Sequence, residues 1–390
     1  MVNRLPTVLI GGPPHTGKSV LTYSLTQALR KQHIEHYVIR ACPDGEGDWS
    51  QEIHQDTVRL IRIKGTWTDS FVKLICRDLE RRHLPLLVDV GGLPKDEQLS
   101  ILRGCTHSLL LLHQNDTESA AFWRHLVEDS GLQPLAVLYS EPGGTSQITS
   151  ETPVIEGTIA GLERGISASG PVFDLIVTRL VSLFNYSPEE LKKVKLKLAP
   201  TELVADVEQL LGSIAPDAHE WEPDMLLRLP TELPLNVPLS AYGRGPNWLY
   251  GALAMHADKQ PFYQFDPRLG WITPPPLLLS AQTAPEVSVQ LCEFEDVTVL
   301  SVRIVNDYLD YSQAENLPFP PVPIDRGLIL DGRSPHWLLT ALVRLYDRAG
   351  VVWIACHQPQ VKGAVVVVSH TPSHTPGDLI SMPIFESSSS

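Results

Sequence analysis

Thr7-Val-Leu-Ile-Gly11 is a short apolar run rich in β-branched residues, and Gly12-Pro-Pro-His-Thr-Gly-Lys-Ser19 follows it directly. Behind it, Val20 to Gln32 carries apolar residues at Val20, Leu21, Leu25, Ala28 and Leu29, the spacing of one helix face. Gly-x-x-x-x-Gly-Lys-Ser between a strand and a helix is a phosphate-binding loop in the context it requires. Its glycines let backbone N–H groups close around phosphate oxygens. Lys18 is expected to reach the β and γ phosphates, and Ser19 to offer its hydroxyl to Mg²⁺. Gly12, Pro13, His15, Thr16, Gly17, Lys18 and Ser19 are the candidate contacts for ATP or another NTP, with His15 at a variable position expected to point outward. Leu86-Leu-Val-Asp-Val-Gly-Gly92 is an apolar strand closing on an acid, so Asp89 is expected to join Ser19 at the metal.

Working outward, strands are expected at Tyr37 to Ala41, Leu84 to Val90, Ser108 to His113, Leu135 to Tyr139 and Pro153 to Ile159. Helical patterns fall between them at Asp69 to Arg82, Glu118 to Asp129 and Val172 to Phe184. Strands alternating with helices predict an α/β fold with a doubly wound parallel sheet. Asp44, Glu46 and Asp48 crowd a Gly-rich loop after the second strand, where they would orient a metal, a water or a phosphoryl acceptor, or form a solvated acidic turn. His113-Gln-Asn-Asp116 ends another strand and is a candidate neighbour of the nucleotide base. Arg40 and Arg103 are the candidate arginine fingers. This half resembles the P-loop NTPase superfamily, nearer its kinase and MinD-related branches than the hexameric unfoldases.

Composition limits the partners. The formal charge of −14 supplies no broad positive field, which argues against duplex nucleic acid, although a small nucleotide gripped by a few arginines remains compatible. Five scattered cysteines with no Cys-x-x-Cys spacing suggest neither a zinc set nor a disulfide framework and fit a reducing cytoplasm. No signal-peptide pattern and no membrane-spanning apolar run are read in the sequence. Ser387 to Ser390 reads as a disordered tail.

The remaining half contains a duplication. Gly243-Arg-Gly-Pro-Asn-Trp-Leu249 recurs as Gly332-Arg-Ser-Pro-His-Trp-Leu338, roughly 90 positions later, too far apart for a solenoid repeat. Each copy follows a strand-like run and opens an amphipathic helix. An arginine held at a strand-to-helix turn brings backbone N–H groups, a helix dipole and a guanidinium fork to one point, an arrangement suited to gripping phosphate. Two copies predict two such grips facing each other across a pseudo-two-fold axis. The domains are read as 1–185 (P-loop), 186–222 (linker, with a short helix from Thr201 to Leu211), 223–284 (first, truncated module) and 285–386 (second module). In the second module, Val287 to Phe294 and Val297 to Ile304 read as a hairpin; in the first, Asp224 to Leu229 is all that suggests one.

Gly-Arg-x-Pro-x-Trp-Leu, the helix after it, Asp266-Pro-Arg-Leu-Gly270 and Val367-Val-Ser-His370 resemble the small ring-nuclease family of type III CRISPR systems, whose members cleave cyclic tetra-adenylate. Some members are fused to a P-loop domain. The resemblance covers roughly residues 224 to 386 as two divergent, Rossmann-like α/β copies that would form the family's dimer within one chain. It implies that Gly243, Arg244, Gly245, Pro246, Gly332, Arg333, Ser334 and Pro335 hold cyclic oligoadenylate. It also implies that Asp266 and Arg268 match the family's catalytic Asp-Pro-Arg, and His370 its last-strand histidine. The second copy reads Gln358-Pro-Gln360 there, and Asp258 and Asp347 stand where the family has a catalytic histidine, leaving His256 or His336 to substitute. The implied reaction is attack of a ribose 2′-OH on the adjacent phosphorus, with Mn²⁺ a candidate cofactor for cleavage, Mg²⁺ for the NTP, and homo-oligomerisation expected. Two readings of other classes compete with it: a sensor that binds the ring without cutting and switches a P-loop NTPase, and a nucleotide or small-molecule kinase with a regulatory module.

Overall fold

The computed structural model describes residues 4–41, 68–91, 99–282, 284–305 and 309–383. Asp44, Glu46, Asp48, Gly92 and Ser387 to Ser390 lie outside them. The chain divides into two compact units, Met1–Lys195 and Leu196–Ser390.

The first unit is built on β1 (Thr7–Gly11), β2 (Tyr37–Ala41), β3 (Leu86–Val90), β4 (His107–His113), β5 (Gln133–Glu141), β6 (Gln147–Ser150) and β7 (Ile155–Ala160). Their order across the sheet is β2-β3-β1-β4-β5-β7-β6, and all are parallel except the edge strand β6. β1 and β3 are buried along their whole length, which is why they read as mostly apolar runs rather than alternating ones. Helices cover both faces. Leu21, Leu25 and Leu29 of α1 (Lys18–Lys31) share one core with Val172, Phe173 and Ile176 of α5 (Pro171–Phe184). Val72, Ile75 and Leu79 of α2 (Asp69–Glu80), with Trp123 and Val127 of α4 (Thr117–Asp129), fill the other. A short α3 (Leu99–Arg103) precedes β4. This is the doubly wound architecture. β6 was not expected, because Gln147-Ile-Thr-Ser150 carries too little apolar character to signal a strand.

Residues 186–222, expected to be a linker, carry regular structure. Leu191 of α6 (Pro188–Lys197) packs with Leu5 and Leu84, so this helix belongs largely to the first unit. Leu203–Asp206 is strand β8, not the start of a helix as expected. Its side chain at Asp206 caps the following helix α7 (Val207–Ile214), accepting from the Glu208 amide at 3.2 Å. β8 pairs in parallel with β9 (Leu239–Tyr242), so the first module's sheet starts upstream of residue 223. Asp224 to Leu229, expected as a hairpin remnant, lies instead in a 3₁₀ helix (Pro223–Arg228) that runs into a single helical turn from Leu229.

The first module's sheet is β11-β10-β9-β8, with β10 (Phe262–Asp266) parallel to β9 and β11 (Gly270–Ile272) antiparallel to β10. β12 (Leu278–Leu279) and β15 (Pro318–Phe319) form a small bridge. The second module's sheet comprises β13 (Val287–Glu293), β14 (Val297–Ile304), β16 (Gly327–Asp331), β17 (Trp353–Gln358), β18 (Gly363–Ser369) and β19 (Leu379–Ile380), in the order β13-β14-β16-β17-β18-β19. β14, β16 and β17 run parallel, as β8, β9 and β10 do. The expected hairpin is β13 and β14. The two modules share one apolar core. Leu249 and Leu253 of α8 (Asn247–His256) sit in it with Leu338, Leu342 and Val343 of α9 (His336–Arg348). Trp248 and Trp337 are both buried there.

Candidate functional site

In the first unit, β1 turns into α1 through a loop whose shape depends on glycine. Gly12 has φ 140°, and a Cβ there would lie 1.9 Å from the Leu111 carbonyl oxygen. Gly17 has φ 89° and ends the loop as the N-cap of α1 with no side-chain oxygen to close its first turn. Lys18 is buried and its Nζ donates to the carbonyls of Gly12 (2.8 Å) and Pro13 (2.7 Å), curling the loop around the ammonium. Thr16 Oγ1 donates to the Pro13 carbonyl at 3.1 Å. Neighbouring β3 brings Asp89 into register with Ile10, and Ser19 Oγ donates to Asp89 Oδ2 at 3.0 Å. A serine hydroxyl and a buried carboxylate meeting at the loop's mouth are a hard-oxygen pair of the kind Mg²⁺ takes. His15 is exposed, with φ 64°. Arg40 lies in register with Asp89 on β2, at the sheet edge where the loop opens. Arg103 sits just before β4, at the opposite edge, and is not placed for a finger. His113 meets the Pro14 carbonyl through Nε2 at 3.2 Å and so braces the loop. Asp116 caps α4, accepting from the Ser119 amide at 3.0 Å, so this carboxylate serves its own helix rather than a base.

In the second unit, two contacts fix how the duplicated helices meet. Near the start of α8, Tyr250 meets the ring of His336, the first residue of α9, edge-on at 4.8 Å. Toward the other end, Arg344 donates to the carbonyls of Asp258 (2.6 Å) and Gln260 (2.9 Å), just past α8, and lies 5.9 Å from the Phe262 ring. The helices therefore run side by side in the same direction. Both turns, Gly243 to Pro246 and Gly332 to Pro335, open at the same end of the pair. Gly243 and Gly332 have φ 114° and 116°, so the left-handed bend is common to both copies. The Tyr250 hydroxyl donates to the Gly243 carbonyl, and burial pushes that phenol up to about 12.

Each turn has the other module's strand end for a neighbour. Arg244, Gly245 and Pro246 line a cavity of about 390 Å³ with Gln358, Gln360 and Val361 of the second module, and with Glu208, His219 and Trp221. Arg333 is not among its lining residues, so this cavity does not join the two arginines directly. On the α9 side, Asp266 lies within electrostatic reach of His336. Surrounding protein lowers the His336 pKa although the ring keeps solvent access, and the Asp266 charge acts in the raising direction. Asp266 Oδ1 also accepts from the amides of Arg268 (2.7 Å) and Leu269 (3.1 Å), which shapes its own turn. His370 Nε2 meets Asp347 Oδ1 at 2.7 Å.

His256 is not where a catalytic base belongs. It is buried, and its Nε2 faces the carbonyls of Leu233 (3.0 Å) and Pro234 (3.1 Å), tying α8 to the preceding loop. Among the described residues no group of three or more His, Cys, Asp or Glu converges as a metal nest, so the Mn²⁺ expected for cleavage finds no such set there.

Sequence reasoning missed a polar row. Ser301 on β14, Asp331 on β16 and His357 on β17 stand in adjacent register. Ser301 Oγ donates to Asp331 Oδ2 at 2.9 Å, and His357 Nδ1 meets Asp331 Oδ1 at 2.5 Å. The matching row of the first module, aligned on the two Gly-Arg turns, is Asp206, Tyr242 and Phe265, extended by Trp271. There the rings of Tyr242, Phe265 and Trp271 cluster with centroids 5.1 to 6.2 Å apart. The available signal was that both Leu328-Ile-Leu-Asp331 and Trp353-Ile-Ala-Cys-His357 are apolar strands ending in a titratable group.

Residues 302–381, a stretch that contains β16, α9, β17 and β18, match the family described as CRISPR-associated protein (Cas_csx3). No curated protein matches the chain. Among solved structures, chloroplast FtsY from Physcomitrella patens is 14% identical, covering 36% of this chain and 51% of its own, with a TM-score of 0.24. The signal recognition particle receptor FtsY from Elizabethkingia anophelis is 11% identical, covering 46% and 64%, with a TM-score of 0.26. The chain thus spans between half and two thirds of the length of these structures. No helix among the described residues is long and apolar enough to cross a membrane.

Proposed function

We propose that the second unit binds cyclic oligoadenylate, of the tetra-adenylate class, at the end where its two Gly-Arg turns open, and cleaves it there, while the first unit binds an NTP. The parallel packing of α8 and α9 carries this reading, because it gives one end of the unit two phosphate-gripping turns. Arg244 and Arg333 hold the polyanion, with help from the amides and dipoles of the helix starts. Asp266, Arg268 and His336 are the groups for proton handling and charge stabilisation at one of the two strand-end loops. Each positioned acid–base group contributes about 10²–10⁴-fold. In the first unit the loop amides and Lys18 would hold the phosphates, with Mg²⁺ at Ser19 and Asp89 to neutralise their charge; NTP binding there regulates or assembles the enzyme.

The experiment is incubation of the full chain with radiolabelled cyclic tetra-adenylate, with and without ATP and Mn²⁺. Linear products that vanish in Asp266→Ala and persist in Lys18→Ala support cleavage by the duplicated unit. Retention of the ring on a filter with no products overturns it in favour of a sensor. That second reading draws on the loop Gln358-Pro-Gln360, which has neither acid nor guanidinium, and on Asp258 and Asp347 at the helix ends.

A further inference from the structure

We propose that Asp331 and His357 form an acid–base dyad of the second module, oriented by Ser301, which exchanges a proton with the phosphodiester ligand gripped beside it; this rests on the function proposed above. Three observations carry it. The first is the bonding pattern. Asp331 uses one oxygen for the Ser301 hydroxyl and the other for His357 Nδ1, so the carboxylate is held on both sides and fixes the imidazole by its Nδ1. That leaves Nε2 to serve as proton acceptor or donor, the division of labour by which an orienting carboxylate prepares a histidine.

The second is position. Asp331 and His357 stand at the C-terminal ends of neighbouring parallel strands, the edge at which open α/β sheets bind ligands, and Ser301 on β14 is the register partner of Asp331. Asp331 immediately precedes Gly332 and Arg333 of one turn, and His357 immediately precedes Gln358, which lines the Arg244 cavity. The dyad thus lies one peptide from the surroundings of both grips. Its side chains are about one quarter exposed, 23% for His357 and 27% for Asp331, which fits groups that are held yet reachable.

The third is the sister module. Its matching row is Asp206, Tyr242 and Phe265, whose rings pack against each other. The same frame therefore folds with aromatic groups there, and a chain of hydroxyl, carboxylate and imidazole is not a requirement of the architecture. A partly buried polar row is costly to desolvate, and its place at the ligand edge gives it a use.

In the step assigned to it, neutral His357 Nε2 takes the proton of a ribose 2′-OH as the O2′–P bond forms. The P–O5′ bond breaks, the 5′ oxygen takes a proton from water, and the imidazolium returns its proton to the hydroxide left behind. The products are a 2′,3′-cyclic phosphate and a 5′-hydroxyl, with no redox change.

The test uses the full chain with cyclic tetra-adenylate and the variants His357→Gln and Asp331→Asn, which keep size and hydrogen bonding. Linear product should form about 100-fold more slowly, the acidic limb of the wild-type pH–rate profile should disappear in His357→Gln, and filter-bound ring should change less than threefold. Variants that cut at the wild-type rate with an unchanged profile overturn the dyad. A parallel measurement follows the imidazole ¹⁵N resonances of His357, assigned by their loss in His357→Gln, as the ring is added. If the wild type makes no product, the cleavage reading fails by itself. A shift of those resonances then still supports the dyad at the ligand, and their constancy overturns it.

Discussion

The two copies in the second unit share a frame and differ at its working edge. Turn, helix and strand match element for element: α8 begins at Asn247 as α9 does at His336, each after a proline, and each carries its tryptophan one residue later. The differences gather where the parallel strands end. One copy has Asp266 and Arg268 where the other has Gln358 and Gln360, and one has Tyr242 and Phe265 where the other has Asp331 and His357. The lesson is physical. Core positions in a shared interior are constrained by volume, whereas a strand's last side chain faces solvent or ligand and is free to change chemistry without disturbing the packing.

Replacing each tryptophan tests the shared frame most severely. Trp248→Ala and Trp337→Ala should each cost about 3–5 kcal/mol in urea unfolding, since both rings are buried in the same core. A near-neutral result at one of them would break the equivalence. Next comes the working edge: Asp266→Asn should slow linear-product formation about 100-fold by chromatography. The reciprocal graft, Gln358→Asp with Gln360→Arg, should raise it by supplying a second loop of the intact kind. No gain would mean the two ends differ by more than this loop.

Smaller effects come from swapping single residues between copies. Met255 occupies in α8 the place of Arg344 in α9. Arg344→Met should cost about 1.5–3 kcal/mol, because the carbonyls of Asp258 and Gln260 lose a charged donor. His256→Leu imports the second copy's Leu345, and should cost about 1–3 kcal/mol by leaving two carbonyls without a partner while leaving cleavage unchanged. A collapse of cleavage with stability intact would return His256 to the chemistry. The smallest effect is electrostatic. The Asp266 charge raises the His336 pKa against the lowering effect of its surroundings, so Asp266→Asn should move the His336 titration, followed by NMR, to lower pH.

Much of the fold was legible because its elements signal themselves. β1, β3 and β4 are built on apolar runs, and the loop from Gly12 to Ser19 fits a phosphate-binding loop between a strand and a helix. β8 was misread because Leu203-Val-Ala-Asp206 is only four residues long, and such a run does not tell a strand from the first turn of a helix until its partner is known. The partner, Leu239 to Tyr242, lies more than thirty residues on. The same separation hid the row of Ser301, Asp331 and His357, which register alone assembles. His256 was misjudged for the opposite reason: a histidine in a helix's last turn looks solvent-facing from sequence, and only the loop carbonyls at Leu233 and Pro234 reveal it as buried.

The common interior of the two copies has a consequence for how the protein behaves when scarce. Partners joined by a continuous chain and one core do not come apart on dilution, and neither can be exchanged for a fresh subunit. However few molecules are present, each would still carry both Gly-Arg turns, and a lesion in one copy would travel with its twin for the lifetime of the molecule.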